Sequence, residues 1–470
     1  MFLCTAITLL LHSCIIEELD KSLPESDRIN KFIIEGVQTY YLWEAETDWK
    51  PYNKQDAYEA YPDHYQLFDQ LLYRDDYWST LTDDIRNLED QFAGISTTFG
   101  YMLSFYYHPF SNDNNEVIAV VLYTSSGSPA EKAGLNRGDI IVEMNGSKLT
   151  TMNYRDLYYA SSIQVRCGQV VVNEDSEGGT MVTLPEIYHL TSIEMYENPV
   201  NTYKIIELEG IKIGYLCYTG YQRESENELF QLFTQFKTAG VKDVVLDLRY
   251  NPGGYSSTAQ ILSSILAPES DVLGKSIYLE HHYNKLYTEY LEQHDHALYE
   301  TFIDTLPVRM NLDHLYVLTS KNTASASEAT IVGLRPYLEL IQIGDTTSGK
   351  YCGGVLLEPV DLYGEKNKSY FEDFSNWGMY IMIYRYANKT GISSFTSGLV
   401  PDILEKELPL SLKPFGDIED PLFARALELI TGKTYTAPRS AQKAVPLTPL
   451  SAQKRPVDGL MIATPPIIAK

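Results

Sequence analysis

Residues 243–254, DVVLDLRYNPGG, run a β-branched strand directly into a turn with two adjacent glycines. Paired glycines at a strand-to-helix turn free backbone amides to point outward, where they can bind an oxyanion at the start of the next helix. Taken alone, the segment is equally compatible with a simple tight turn. On either side of it, strands alternate with helices between about Tyr203 and Gly416. The run is IKIGYLCY, the amphipathic ENELFQLFTQFKTAG, DVVLDLRY, a helix after Gly254, HLYVLTS, the helix ASEATIVGLRPYL, and IQIGDTT. Such alternation predicts an α/β layer whose working groups sit at strand ends.

Two further segments of this layer carry candidate chemistry. In TASASEA (Thr323–Ala329) the small residues admit a substrate backbone, and a serine at a helix start meets amide dipoles that favour developing negative charge. The same letters, with Glu328 following, also read as an ordinary helix cap. GDTTSGKYCGG (Gly344–Gly354) fits the first part of a phosphate-binding loop. However, Tyr351 stands where Ser or Thr would hold magnesium, and Gly353 and Gly354 predict a turn and strand in place of the required helix. Nucleotide binding is not expected. A lysine at a strand end has another use: desolvated, its pKa falls from about 10.4 toward neutrality and it becomes a general base.

Upstream, the β-rich runs VIAVVLY (Val117–Tyr123) and DIIVEMNG (Asp139–Gly146) bracket GSPAEKAGLNRG, implying strand, short helix, turn, strand. Ser128 to Ile140 resembles the core of a PDZ domain, S-P-A-x-x-A-G-L-x-x-G-D-x-I. Pro129 opens its helix, Gly134 caps it, and Gly138-Asp139 make the turn into the next strand. The resemblance implies a β-rich PDZ domain over 96–195 that accepts an extended peptide as an added strand. It would hold the terminal carboxylate on the loop Phe99-Gly100-Tyr101-Met102.

The PDZ core, DLRYNPGG, ASASE, SGK and GLVPDI (Gly398–Ile403) follow one another in a single order. Together they resemble the C-terminal processing peptidases, also called tail-specific proteases, a serine peptidase family with a Ser-Lys dyad. The resemblance implies Ser325 as nucleophile and Lys350, 25 residues later, as its base. Amides of Gly253, Gly254 and Ala326 would form the oxyanion hole. It further implies a ClpP/crotonase-like α/β catalytic domain over 200–435. The reaction would be acyl-enzyme hydrolysis of unfolded or C-terminally tagged polypeptides, with no cofactor. One position departs from the family pattern: Gly354 stands where a glutamine is often found four residues after the lysine. That departure keeps open a second reading, a non-catalytic surface lipoprotein that retains the fold and captures peptides or glycans.

Lys and Arg number 37 against 63 Asp and Glu, a net charge of −26, which repels phosphate backbones and argues against nucleic-acid partners. None of the nine histidines lies in a G-x-S-x-G or H-E-x-x-H context, and His281, His282, His294 and His296 are expected at the surface. Ser-His-Asp and zinc chemistry are therefore disfavoured, and no metal is expected. Five scattered cysteines do not suit a disulfide scaffold or a paired metal site. Residues 1–14, MFLCTAITLLLHSC, carry an apolar run of signal-peptide length ending in a sequence similar to the bacterial lipobox, with Cys14 as the lipidated residue. Because no Lys or Arg precedes the run, a short buried helix is the alternative. Glu17 and Glu18 resemble the acidic export tag of Bacteroidetes surface lipoproteins. The expected location is thus exported and lipid-anchored to a bacterial outer membrane. Residues 20–95 predict a small helical N-terminal domain whose aromatic rings, Trp78 among them, serve packing. Residues 436–470, rich in Pro, Ala, Thr, Ser and Lys without periodicity, predict a disordered tail.

Overall fold

A computed structural model describes residues 19–52, 56–172, 179–435, 447–450, 458–466 and 468. The α/β layer forms as the alternation predicts. Strands Val200–Leu208, Ile211–Tyr218, Asp243–Asp247, His314–Thr319, Glu339–Gly344 and Ile403–Leu404 lie side by side in that order, and every pairing after the first is parallel. Helices Glu226–Ala239, Ser256–Leu266 and Ala326–Leu334 lie between them in the chain. Val244, Val245 and Leu246 are all buried, because a parallel strand is covered on both faces and reads as a continuous apolar run. Leu246 and Val317 face the main core, while Val245, Leu318 and Ile343 pack beneath the helix Pro421–Thr431.

A second sheet orders Gly254–Tyr255, Met461–Ile462, Cys352–Leu357, Gly378–Ala387, Ile277–Tyr283 and Tyr299–Thr301. The N-terminal region is helical (Glu25–Tyr40, His64–Leu71, Ile85–Phe92), but it does not build a core of its own. Its strand Thr80–Thr82 pairs with Gly378–Ala387, and the Leu42 N–H donates to the Met382 carbonyl at 2.8 Å. Phe32, Ile33 and Val37 consequently share one buried cluster with Leu246, Val317 and Met379.

The PDZ sheet runs Tyr101–Tyr107, Val117–Thr124, Ile140–Met144, Ser162–Val172, Gly179–Thr183 around its own core of Phe105, Val121, Ile141 and Val165. Its short helix Pro129–Ala133 has the expected ends: Ser128 Oγ accepts the Glu131 N–H at 3.1 Å, and Gly134 closes the helix at φ 94°. The chain enters and leaves this domain through one antiparallel ribbon, Ile95–Thr98 against Ile193–Tyr196.

A buried charge network joins the PDZ domain to the α/β layer. Arg249, fully buried, donates to Asp247 at 2.6 Å, to Asp420 at 2.9 Å and to Glu407 at 2.6 Å. Arg137, from the PDZ turn before Gly138, also reaches Glu407 and donates to the Tyr250 hydroxyl at 2.8 Å. A buried guanidinium is tolerable only when paired on every side, so this cluster fixes where the PDZ turn seats.

Two expectations need correction. Within 436–470, the described residues 447–450, 458–466 and 468 are not a free tail: they pack on the PDZ domain and within the second sheet, where Leu460, Met461 and Ile462 are buried. His281 is not at the surface either. It stacks 4.2 Å from the Tyr384 ring, and burial depresses its pKa to about 3.

Candidate active site

Ser325 sits at the start of the helix Ala326–Leu334, which is buried on every side; its residues are mostly small or apolar, and its polar members Ser327, Glu328 and Thr330 are hydrogen-bonded within the protein. Its backbone adopts φ 60°, ψ −114°, a conformation that costs a residue with a side chain of the order of 1–3 kcal/mol. The side chain is fully buried, and its hydroxyl has no hydrogen-bond partner among the described residues. The neighbouring Ser327 hydroxyl, by contrast, donates to the Asn251 carbonyl at 3.0 Å. The two serines of the ASASE segment thus differ: one is committed to the fold and the other is left over.

Glu328, one turn along, holds the strained conformation. Its carboxylate accepts the N–H of Ser325 at 2.8 Å and the N–H groups of Gly349 and Lys350 at 2.7 and 2.9 Å. It also accepts the Thr347 hydroxyl at 2.5 Å. One side chain therefore ties the backbone of Ser325 to that of Lys350. Tyr386 repeats the link on the carbonyl side, its hydroxyl lying 2.8 Å from the Lys350 oxygen and 3.3 Å from that of Ser325. Burial pushes the Glu328 carboxyl up to about 7 against the pull of its donors. In the sequence Glu328 reads only as part of a helix cap; nothing in the linear pattern shows that three of its partners lie beyond the next strand, Glu339–Gly344.

Lys350 is 1% exposed. Its Nζ donates to the Tyr380 hydroxyl at 3.3 Å and stands 5.6 Å from the Trp78 ring. Trp78, read from sequence as packing, is a wall of the site. The absent glutamine has a spatial explanation, since a Cβ on Gly354 would lie 2.5 Å from the Tyr380 ring and 2.7 Å from the Ile381 carbonyl. No side chain fits there. The Tyr380 ring fills that volume and presents a hydroxyl to the lysine.

Of the three expected oxyanion donors, Gly253 needs correction: its N–H is taken by Asn251 Oδ1 at 2.9 Å within the turn. The Gly254 N–H faces outward and donates to the Leu460 carbonyl at 3.0 Å. Gly253 is required for another reason. At φ 115°, a Cβ there would sit 2.8 Å from the Ser325 Cβ, 2.9 Å from the Leu460 oxygen and 3.2 Å from the Ala326 nitrogen. Gly253 thus marks the point where Ser325, Ala326 and the Leu460 carbonyl converge.

On the PDZ side, Phe99, Tyr101 and Met102 line a cavity of about 510 Å³ that reaches Gly253 and Gly254. Gly100 is not on its wall, and its N–H is satisfied by the Thr98 hydroxyl at 2.9 Å. Among the described residues, no group of three or more His, Cys, Asp or Glu is arranged to hold a metal ion.

Fold and site together define a PDZ-bearing α/β protein of the serine-peptidase class. Residues 212–404 match the model of peptidase family S41, and residues 120–161 match that of a PDZ domain. The chain is 24% identical over 316 residues to the carboxyl-terminal-processing protease of Synechocystis sp., spanning 67% of this chain and 66% of that one. It is 24% identical over 381 residues to the protein of the same name from Picosynechococcus sp., spanning 80% of each. In fold, it is similar to a crystal structure from Bacteroides fragilis assigned to the S41 proteases (TM-score 0.67, 24% identity, 85% of this chain and 97% of that one). It also resembles the photosystem II D1 C-terminal processing protease (TM-score 0.50, 20% identity, 83% and 95%). The S41 match over residues 212–404, the PDZ match and these relatives together support a member of the C-terminal processing peptidase family.

The Glu328 clamp gives a testable expectation. In Glu328→Gln one oxygen becomes an NH2 that cannot accept, so about 1–3 kcal/mol of hydrogen bonding is lost and turnover should fall about 10- to 100-fold at nearly unchanged KM. Because burial raises this carboxyl from its ordinary 4.5 to about 7, the folded state binds its proton more tightly than the unfolded one. Its contribution to stability therefore falls as pH rises from 4.5 to 7 and is flat above that. Unfolding measured across this range should lose that component in the Gln variant; an identical pH dependence in both proteins would remove the assignment.

Proposed function

We propose that this protein is an endopeptidase that hydrolyses unfolded or C-terminally tagged polypeptides through a Ser325–Lys350 dyad. The observation that carries the reading is the partnerless, buried Ser325 hydroxyl on a strained backbone that Glu328 binds to the backbone of Lys350. In this mechanism Ser325 Oγ attacks the scissile carbonyl while neutral Lys350 takes its proton. The N–H groups of Gly254 and Ala326 bind the oxyanion, and the protonated lysine then returns its proton to the leaving amine. Water repeats the sequence to release the acyl group. Tyr380 orients the lysine, the task that a glutamine at position 354 would otherwise have. The PDZ loop, opening on the cavity that leads to Gly254, receives the substrate chain from its C-terminal end.

We further propose that the protein is exported and anchored by a lipid on Cys14; support comes from the LHSC sequence alone, since residues 1–18 lie outside the described part. Among the described residues, no helix is long and apolar enough to cross a membrane. Cys14→Ala should move the protein from the membrane to the soluble fraction, and a wild-type chain found by mass spectrometry to retain residues 1–13 would refute the anchor.

For the dyad, unfolded casein is the substrate of choice. Ser325→Ala and Lys350→Ala should each abolish cleavage while the fold is retained, and the double variant should be no worse than either, because the two groups act as a unit. Ser327→Ala should reduce activity only partially, since that hydroxyl is bonded to the Asn251 carbonyl. As the base must be neutral, wild-type activity should rise with pH. Residual cleavage by purified Ser325→Ala would reject the mechanism, and a wild type inert on all unfolded substrates would favour the peptide-binding alternative.

A further inference from the structure

We propose that the C-terminal segment of this chain is an internal peptide ligand, occupying the PDZ edge with residues 448–450 and the catalytic cleft with residues 459–463, each by the backbone pairing a bound peptide uses, although it meets the PDZ edge first along the chain and so runs in the opposite order to a substrate held by its C-terminus. The proposal rests on the reading of that cleft as substrate-binding.

Two separate contacts carry it. On the PDZ domain, Tyr101–Tyr107 is the edge strand of the sheet, the position to which a bound peptide is added. Part of that edge is already paired by the chain itself. Tyr106 bridges antiparallel to Pro449, the Tyr107 N–H donates to the Thr448 carbonyl at 3.0 Å, and the Leu450 N–H donates to the Phe105 carbonyl at 3.0 Å. Leu450 also packs against the PDZ core.

Further along, the segment enters the catalytic cleft. The Leu460 carbonyl accepts the outward-facing Gly254 N–H, which is the position of a scissile carbonyl in an oxyanion hole. Gly459 passes the Ala324 methyl, its own Cβ direction ending 4.0 Å from it. Met461–Ile462 then inserts as a parallel strand between Gly254–Tyr255 and Cys352–Leu357, bridging the strand of the oxyanion glycine and the strand after Lys350. The Met461 backbone binds the same Tyr380 hydroxyl that receives the lysine, at 2.7 Å through its carbonyl and 3.1 Å through its N–H. The Ala463 N–H continues the pairing to the Gly354 carbonyl at 2.9 Å. Backbone pairing on both sides, with a carbonyl on the oxyanion donor, is what strand-wise substrate binding demands. It puts Leu460 on the acyl side and Met461 on the leaving side of the reacting position. The 510 Å³ cavity stops at Gly253, Gly254 and Asp458, and Ser325 and Lys350 are closed off beyond it. A substrate must displace the segment to reach them.

The test uses the full chain with Ser325→Ala and a foreign-protease site built into 451–457, folded first, checked by thermal unfolding and then cut. A labelled synthetic peptide DGLMIATPPII, residues 458–468, is added. A cleft filled by a tethered ligand binds in proportion to the fraction that is open, so the cut protein should bind the peptide at least about tenfold more tightly than the uncut one. The same peptide with Leu460→Asp should not bind. In an otherwise wild-type uncut chain, Leu460→Asp should raise casein turnover. A cut protein that binds no peptide and keeps its own segment against excess competitor would show a permanent strand of the fold and overturn the proposal. If the peptide exchanges while no form hydrolyses casein, the enzymatic reading fails and the internal ligand stands.

Discussion

A single buried carboxylate, that of Glu328, sets the geometry of this site. Burying it is costly, and four donors offset that cost: three backbone N–H groups and one hydroxyl. Those donors come from the turn at Ser325 and from the loop before Lys350, so satisfying the charge forces the two segments together. The positive φ of Ser325 is tolerated for the same reason, because relaxing it would strip a hydrogen bond from a group with no water to replace it. Tyr386 adds the complementary constraint on the carbonyl oxygens, so both polar faces of the two peptide units are held.

The second requirement is access. The PDZ domain does not float beside the α/β layer; Arg137 and Arg249 share Glu407, and Tyr250, in the same turn as Gly253, binds both Arg137 and Glu407. Phe99, Tyr101 and Met102 of the PDZ domain and Gly253 and Gly254 of the turn thus line one cavity, and the polar cluster fixes the two domains around it. The chain's own C-terminal segment occupies this route, which couples the two sites without any motion of the domains needing to be invoked.

Features with local causes were legible in the sequence. The PDZ helix is specified by Ser128, Pro129 and Gly134, each acting within a turn of itself, and the parallel layer by β-branched runs alternating with amphipathic ones. The expectation that Ser325 pairs with Lys350 came through family spacing, not local physics. What the sequence did not disclose depends on contacts between distant segments. The Gly253 amide is consumed by its own turn, Tyr380 fills the space above Gly354, Trp78 walls the lysine, and a stretch composed like a loose tail forms a buried strand. The Leu-Met-Ile of residues 460–462 was the one available signal for that strand, too short for periodicity to register.

The account turns on Ser325 being the activated hydroxyl and Lys350 its base. Intact-mass and peptide mapping after treatment with a small fluorophosphonate, run with the internal segment released, tests this directly. The account requires one adduct per chain, on Ser325, formed faster as pH rises and lost in Lys350→Ala. An adduct on Ser327, or labelling of Ser325 that is indifferent to Lys350, would contradict it.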